Sequence, residues 1–156
     1  MAYPEDKADE TWQADGATFS IIRADLGHWC GYVRFPARPV AEEGYRGILT
    51  YVPVHGGITW AEEDDGGMVY GFDCAHSGDD NDPNVKDVVW VKAECQRMAQ
   101  AISIAAGYED EYLAAKDDEA RAYTLDSYHA RLAEEGMSFE LMDNFGAMIN
   151  VLAGKL

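Results

Sequence analysis

Basic side chains are scarce in this sequence. Twelve lysines and arginines stand against 29 aspartates and glutamates, a formal charge of −17 over 156 residues. DNA, RNA and anionic membrane surfaces are met through a basic face, so direct contact with any of them is not expected. Cysteine is sparse too. Cys30, Cys74 and Cys95 are odd in number and lack C-x-x-C spacing. That excludes a disulfide framework and makes a reducing cytoplasm the expected home. No apolar run approaches the roughly 20 residues that cross a bilayer. The opening Met1-Ala2-Tyr3-Pro4-Glu5-Asp6 is acidic and has no apolar segment of the secretory kind, so no signal peptide is expected. A phosphate loop, a dinucleotide fingerprint and a G-x-S-x-G elbow are also missing, and Gly66-Gly67 is too isolated to cradle phosphates.

What is present is the composition of a folded domain. Apolar residues make up 47% and charged residues 26%, which sets the chain apart from disordered sequences. Its length suits one domain, and a domain of this size hides roughly 70% of its unfolded surface.

Residues 1–16 are polar and read as a flexible arm, leaving 17–156 as the domain. From Thr18 the texture is that of strands. Thr18–Ile22 is one candidate, and His28–Phe35 is another that alternates until Pro36-Ala37-Arg38-Pro39 breaks it. Residues 40–48 form an excursion, followed by a strand candidate at Ile48–Val52. After Pro53 come Val54-His55 and a sharp Gly56-Gly57 turn. Ile58-Thr59-Trp60 and Met68–Phe72 then read as a hairpin around an acidic loop, Glu62-Glu63-Asp64-Asp65-Gly66-Gly67.

Asp82-Pro83 opens a helix with aspartate as cap and proline in the first turn. Val88, Val91, Cys95, Met98, Ile102 and Ala105 recur at steps of three and four, a helical stripe that Gly107 closes. Residues 108–135 form a second helical stretch broken near Asp117, and Ser138 caps a third helix. Strands first and helices later predict an α+β domain: a small antiparallel β-sheet in the N-terminal half packed against a layer of helices in the C-terminal half.

One cluster carries chemistry. A hairpin would bring His55, which precedes its first strand, near Asp73, His76, Asp79 and Asp80, which follow its second. Imidazole and carboxylate together suit zinc or another divalent ion, with His55, Asp73, His76 and Asp79 as candidate ligands, and the carboxylates could also hold an activated water. The spacing matches no standard ligand motif. The same residues also read as a satisfied turn, with Asp73 capping backbone N–H groups and the histidines hydrogen-bonded in place. Cys74, between Asp73 and His76, reads as a nucleophile paired with histidine or as a small buried hydrophobe. Cys95 reads as core, His28 as a weaker member of the cluster and His129 as surface.

The second feature is the placement of acid. Ala61 to Asp82 holds eight carboxylates and no lysine or arginine; Gly107 to Asp143 holds eleven against Lys116, Arg121 and Arg131. Glu62, Glu63, Asp64 and Asp65, with Glu109, Asp110, Glu111, Asp117, Asp118 and Glu119, are the candidate contacts for a basic partner. They also read as plain solvated faces.

His55-Gly56-Gly57-Ile58-Thr59 followed by Gly71-Phe72-Asp73-Cys74-Ala75-His76-Ser77-Gly78-Asp79 resembles a pattern in small proteins of phages and other mobile elements for which no activity is established. The likeness takes in roughly residues 28–106. It implies a phage or prophage setting, in which small acidic proteins often bind host defence machinery, as many anti-CRISPR proteins do. Two functions are therefore expected. The first is an acidic, anti-CRISPR-like inhibitor that binds a basic host protein or nucleoprotein complex and mimics nucleic acid. The alternative is a metal-dependent hydrolase or small-ligand binder using the His55/Asp73/His76/Asp79 cluster.

Overall fold

A computed structural model of the chain describes residues 5–25, 27–76 and 78–137. The helix expected from Ser138 lies outside these residues. Five antiparallel strands form one sheet: β1 (Glu10–Ala14), β2 (Ala17–Arg23), β3 (Trp29–Phe35), β4 (Trp60–Asp64) and β5 (Gly67–Asp73), in the order β1-β2-β3-β5-β4. Three helices follow, α1 (Val88–Ala106), α2 (Glu109–Ala114) and α3 (Asp118–Glu134). The α+β architecture is as expected, with sheet in the N-terminal half and helices in the C-terminal half. Among the described residues no helix is long and apolar enough to cross a membrane.

The register explains the core. Trp12, Phe19, Val33, Tyr70 and Ala61 are successive cross-strand partners and so share one face. Ile21, Gly31 and Phe72 form the next row. α1 crosses this face at Gly31, where a Cβ would strike Cys95 Sγ and the Phe72 ring. The apolar stripe of α1 is buried there as its spacing requires: Val91, Cys95, Met98, Ile102 and Ala105 are shielded from solvent. α3 joins behind, with the Tyr128 hydroxyl donating to the Ala101 carbonyl at 2.9 Å.

Four details depart from the sequence reading. Glu10–Ala14 is strand β1, not part of a loose arm. Asp15-Gly16, with φ of 52° and 78°, makes the tight left-handed turn that returns the chain into β2, and Trp12 stacks on Phe19 at 5.4 Å. The acidic run is strand rather than loop, because the two-residue turn of the β4–β5 hairpin is Asp65-Gly66 and Glu62–Asp64 lie on β4 at the sheet edge. Ile48–Val52 is no strand. Gly47–Tyr51 is a short 3-10 turn that sinks Ile48 and Leu49 into the core, and both sides of β5 are already taken by β3 and β4. Finally, Asp82-Pro83 sits between two short 3-10 turns, and α1 starts later. Asp87 is its cap, accepting the Val89 N–H at 2.9 Å.

Candidate functional site

The β4–β5 hairpin does bring the cluster together at its open end. Thr59 N–H donates to the Gly71 carbonyl at 2.8 Å, which closes the hairpin and sets His55 beside the segment leaving β5. His55 sits in a turn whose next two residues, Gly56 and Gly57, have φ of 69° and 81°. A Cβ on Gly56 would collide with the His76 imidazole, so the glycine makes room for the ring as well as for the turn.

Asp79 is the hub. Its Oδ1 lies 2.9 Å from His55 Nε2, and its Oδ2 accepts the His76 N–H at 2.7 Å. Its side chain is nearly buried, 9% exposed. Asp73 holds the other side, accepting the Ala75 N–H and the Thr59 hydroxyl at 3.0 Å each, with His76 Nε2 at 3.4 Å from its Oδ1. The two imidazoles meet edge to face at 5.5 Å, and His55 meets the Trp90 ring the same way at 5.6 Å.

The arrangement is thus two His–Asp pairs tied to backbone, not four side chains aimed at one point. Among the described residues no group of three or more histidine, cysteine, aspartate or glutamate side chains is placed to hold a metal ion. The expected zinc set of His55, Asp73, His76 and Asp79 comes together in space but not as a coordination shell: His55 faces Asp79 and His76 faces Asp73 as separate pairs.

Sequence reasoning missed Glu94, the deepest member. It is 1% exposed on α1, and its Oε2 accepts the His55 N–H at 2.8 Å. Burial pushes its carboxyl up from the ordinary glutamate range, opposed by that hydrogen bond and by the charges of Arg97 and His55. Its place on the buried side of α1, one residue before Cys95, was the available signal.

The acidic candidates divide. Glu62, Glu63 and Asp65 are exposed along β4 and its turn, and Asp110, Glu111 and Glu119 are exposed on α2 and α3. Asp64 is bound by Arg34, which also grips Glu5; the guanidinium hydrogen bonds hold the Asp64 carboxyl below its usual range. Asp117 caps α3 through the Ala120 N–H at 2.8 Å, and Asp118 pairs with Arg121 at 3.1 Å. Glu109 departs from the surface role expected of it. It is buried, and its two oxygens accept the N–H groups of Ala41 and Glu42 at 2.7 and 3.1 Å, pinning the segment between β3 and β4 to α2.

Compared with known protein families, curated proteins and solved structures, the chain matches none.

The thiols are quiet. Burial pushes Cys74 up to about 12 and raises Cys95 and Cys30 as well, so none is a ready thiolate at neutral pH. Cys74 is a small buried hydrophobe, 3% exposed. His129, expected at the surface, is buried at 7% exposure with its ring tilted against Tyr128 at 5.2 Å.

Proposed function

We propose that this chain is an acidic, phage-type inhibitor of the anti-CRISPR kind. It docks on the basic groove of a nucleic-acid-handling complex in the host cytoplasm and sets carboxylates where a phosphate backbone would lie. The observation that carries this reading is the groove between α2 and α3. It is open, about 680 Å³ in volume, with Glu111, Asp117 and Glu119 around it and Tyr123 on its wall, 72% exposed. Carboxylates beside an exposed aromatic face suit arginine, which pairs with the former and stacks on the latter. Glu62 on β4 and Asp65 in its turn, both exposed, extend the negative surface, and the net charge would speed approach to a basic partner.

The hydrogen bonding gives less support to a metal-dependent hydrolase on His55, Asp73, His76 and Asp79. Among the described residues no three of its candidate side chains are placed to hold one ion, and both aspartates are oriented by hydrogen bonds toward His55, Thr59 and nearby backbone N–H groups.

Charge reversal of Asp65, Asp110, Glu111 and Glu119 to lysine tests the inhibitor reading, because these side chains are exposed and none serves as a cap or buried acceptor. The parent should capture a nucleic-acid-binding partner at low salt, release it when the Debye length falls to about 3 Å near 1 M salt, and displace its DNA or RNA. The reversed chain should displace it at least about tenfold less well. Equal displacement by both chains, or capture indifferent to salt, sinks the reading.

A further inference from the structure

In this acidic molecule, basic and imidazole side chains gather at one cavity. It has a volume of about 530 Å³ and lies between the β2–β3 turn, the segment leaving β5 and the 3-10 turn Asn84–Lys86. Arg23 and Lys86, two of the twelve basic residues, line it with His28 and His76, two of the four histidines. Among the described residues that line it, one is a carboxylate, Asp79, whose oxygens are engaged by His55 and by the His76 N–H. Asp25 is exposed on the same β2–β3 turn but does not line the cavity.

The walls are built rather than loose. Ala24 N–H donates to the His28 carbonyl, Gly27 N–H to the Ala24 carbonyl and Cys74 N–H to the Trp29 carbonyl, at 2.8 to 2.9 Å. Arg23 is steadied by its Nε–H on the Gly27 carbonyl at 3.2 Å and by the Trp29 ring, 5.8 Å from the guanidinium carbon. Cys74 and Val85, both 3% exposed, supply an apolar floor, and the half-buried Trp29 supplies an aromatic wall.

From this juxtaposition we propose that the cavity binds a small phosphorylated ligand with a flat ring, of the nucleotide class. Arg23 and Lys86 take the phosphate, and Trp29 stacks on the ring. The volume falls within the range of roughly 300–1,000 Å³ typical of small-molecule sites. Arginine and lysine are the side chains that best recognise phosphate, and a bare phosphate would leave the aromatic wall unused. The site is independent of the acidic groove between α2 and α3, so either proposal stands if the other fails.

Isothermal titration of the full chain with the four ribonucleoside monophosphates, with adenosine and with inorganic phosphate tests this. At least one monophosphate should bind with a Kd below about 1 mM, and adenosine and phosphate should each bind at least about tenfold more weakly. The double variant Arg23→Gln/Lys86→Gln, at two exposed positions, should weaken the nucleotide by at least about tenfold in a chain that still unfolds cooperatively. Trp29→Leu should weaken the nucleotide by a clearly larger factor than it weakens phosphate, which loses only the support that the Trp29 ring gives Arg23. No binding of any monophosphate at about 1 mM overturns the proposal. So does inorganic phosphate binding as tightly as the nucleotide, or binding that survives the double variant in a folded chain.

Discussion

Gly56 is the residue on which the His/Asp cluster closes. Its φ of 69° favours glycine, and the His76 ring occupies the space a side chain would need. Gly16 has a similar φ of 78° with nothing near its missing Cβ. Gly16→Ala should therefore cost only backbone strain, about 1–2 kcal/mol, whereas Gly56→Ala should cost that plus about 1–3 kcal/mol for moving the ring. Urea unfolding of both variants measures the difference, and equal losses would show that the ring moves freely. Glu94 makes a second residue-scale prediction. Its folded carboxyl binds its proton more tightly than the unfolded one, so the folded chain loses stability as pH rises from the ordinary glutamate value through the raised one. Glu94→Gln keeps an acceptor for the His55 N–H and removes the ionisation. Its stability relative to the parent should grow over that pH window and then level off; a pH-independent difference would contradict the raised carboxyl.

At the scale of elements, several carboxylates in a chain full of them are structural. Asp87 and Asp117 each cap a helix by accepting a backbone N–H. Alanine at either position should cost about 1 kcal/mol in thermal or chemical unfolding. Glu109→Ala should cost more, about 1–3 kcal/mol, because it strands two amide donors of the segment between β3 and β4. Alanine at the exposed neighbours Asp110 and Glu111 should stay within about 0.5 kcal/mol of the parent. A Glu109→Ala chain as stable as Asp110→Ala would mean that the buried acceptor is dispensable. The division also decides which acids are fit for charge reversal, since reversing Glu109 or Asp117 would damage the fold along with any binding surface.

For the whole molecule, the charge of −17 predicts self-repulsion that salt relieves. The ion pairs that salt weakens are mostly exposed and individually small. Repulsion should win, so the melting temperature should rise as sodium chloride goes from about 0.01 M to about 1 M. A flat or falling curve would place the compensation in local pairs such as Arg34 with Glu5 and Asp64.

What the sequence determined by itself was whatever lies within a few residues of chain. The α1 stripe from Val91 to Ala105, the β2 and β3 strands, the break near Asp117 and the hairpin that carries His55 toward Asp73 all follow from short periods and turn chemistry, and each is present in the fold. The tertiary structure decided what depends on pairs far apart. Glu109 meets Ala41 and Glu42 across 68 and 67 positions, and Glu94 meets His55 across 39. No local pattern marks such a carboxylate as a buried acceptor rather than a solvated charge. The cavity lined by Arg23 and Lys86 exists only because β2, β3 and β5 are neighbours in the sheet, which sets the segment after β5 beside the β2–β3 turn. Periodicity reports which face of an element is apolar, and only packing determines which side chains then meet on it.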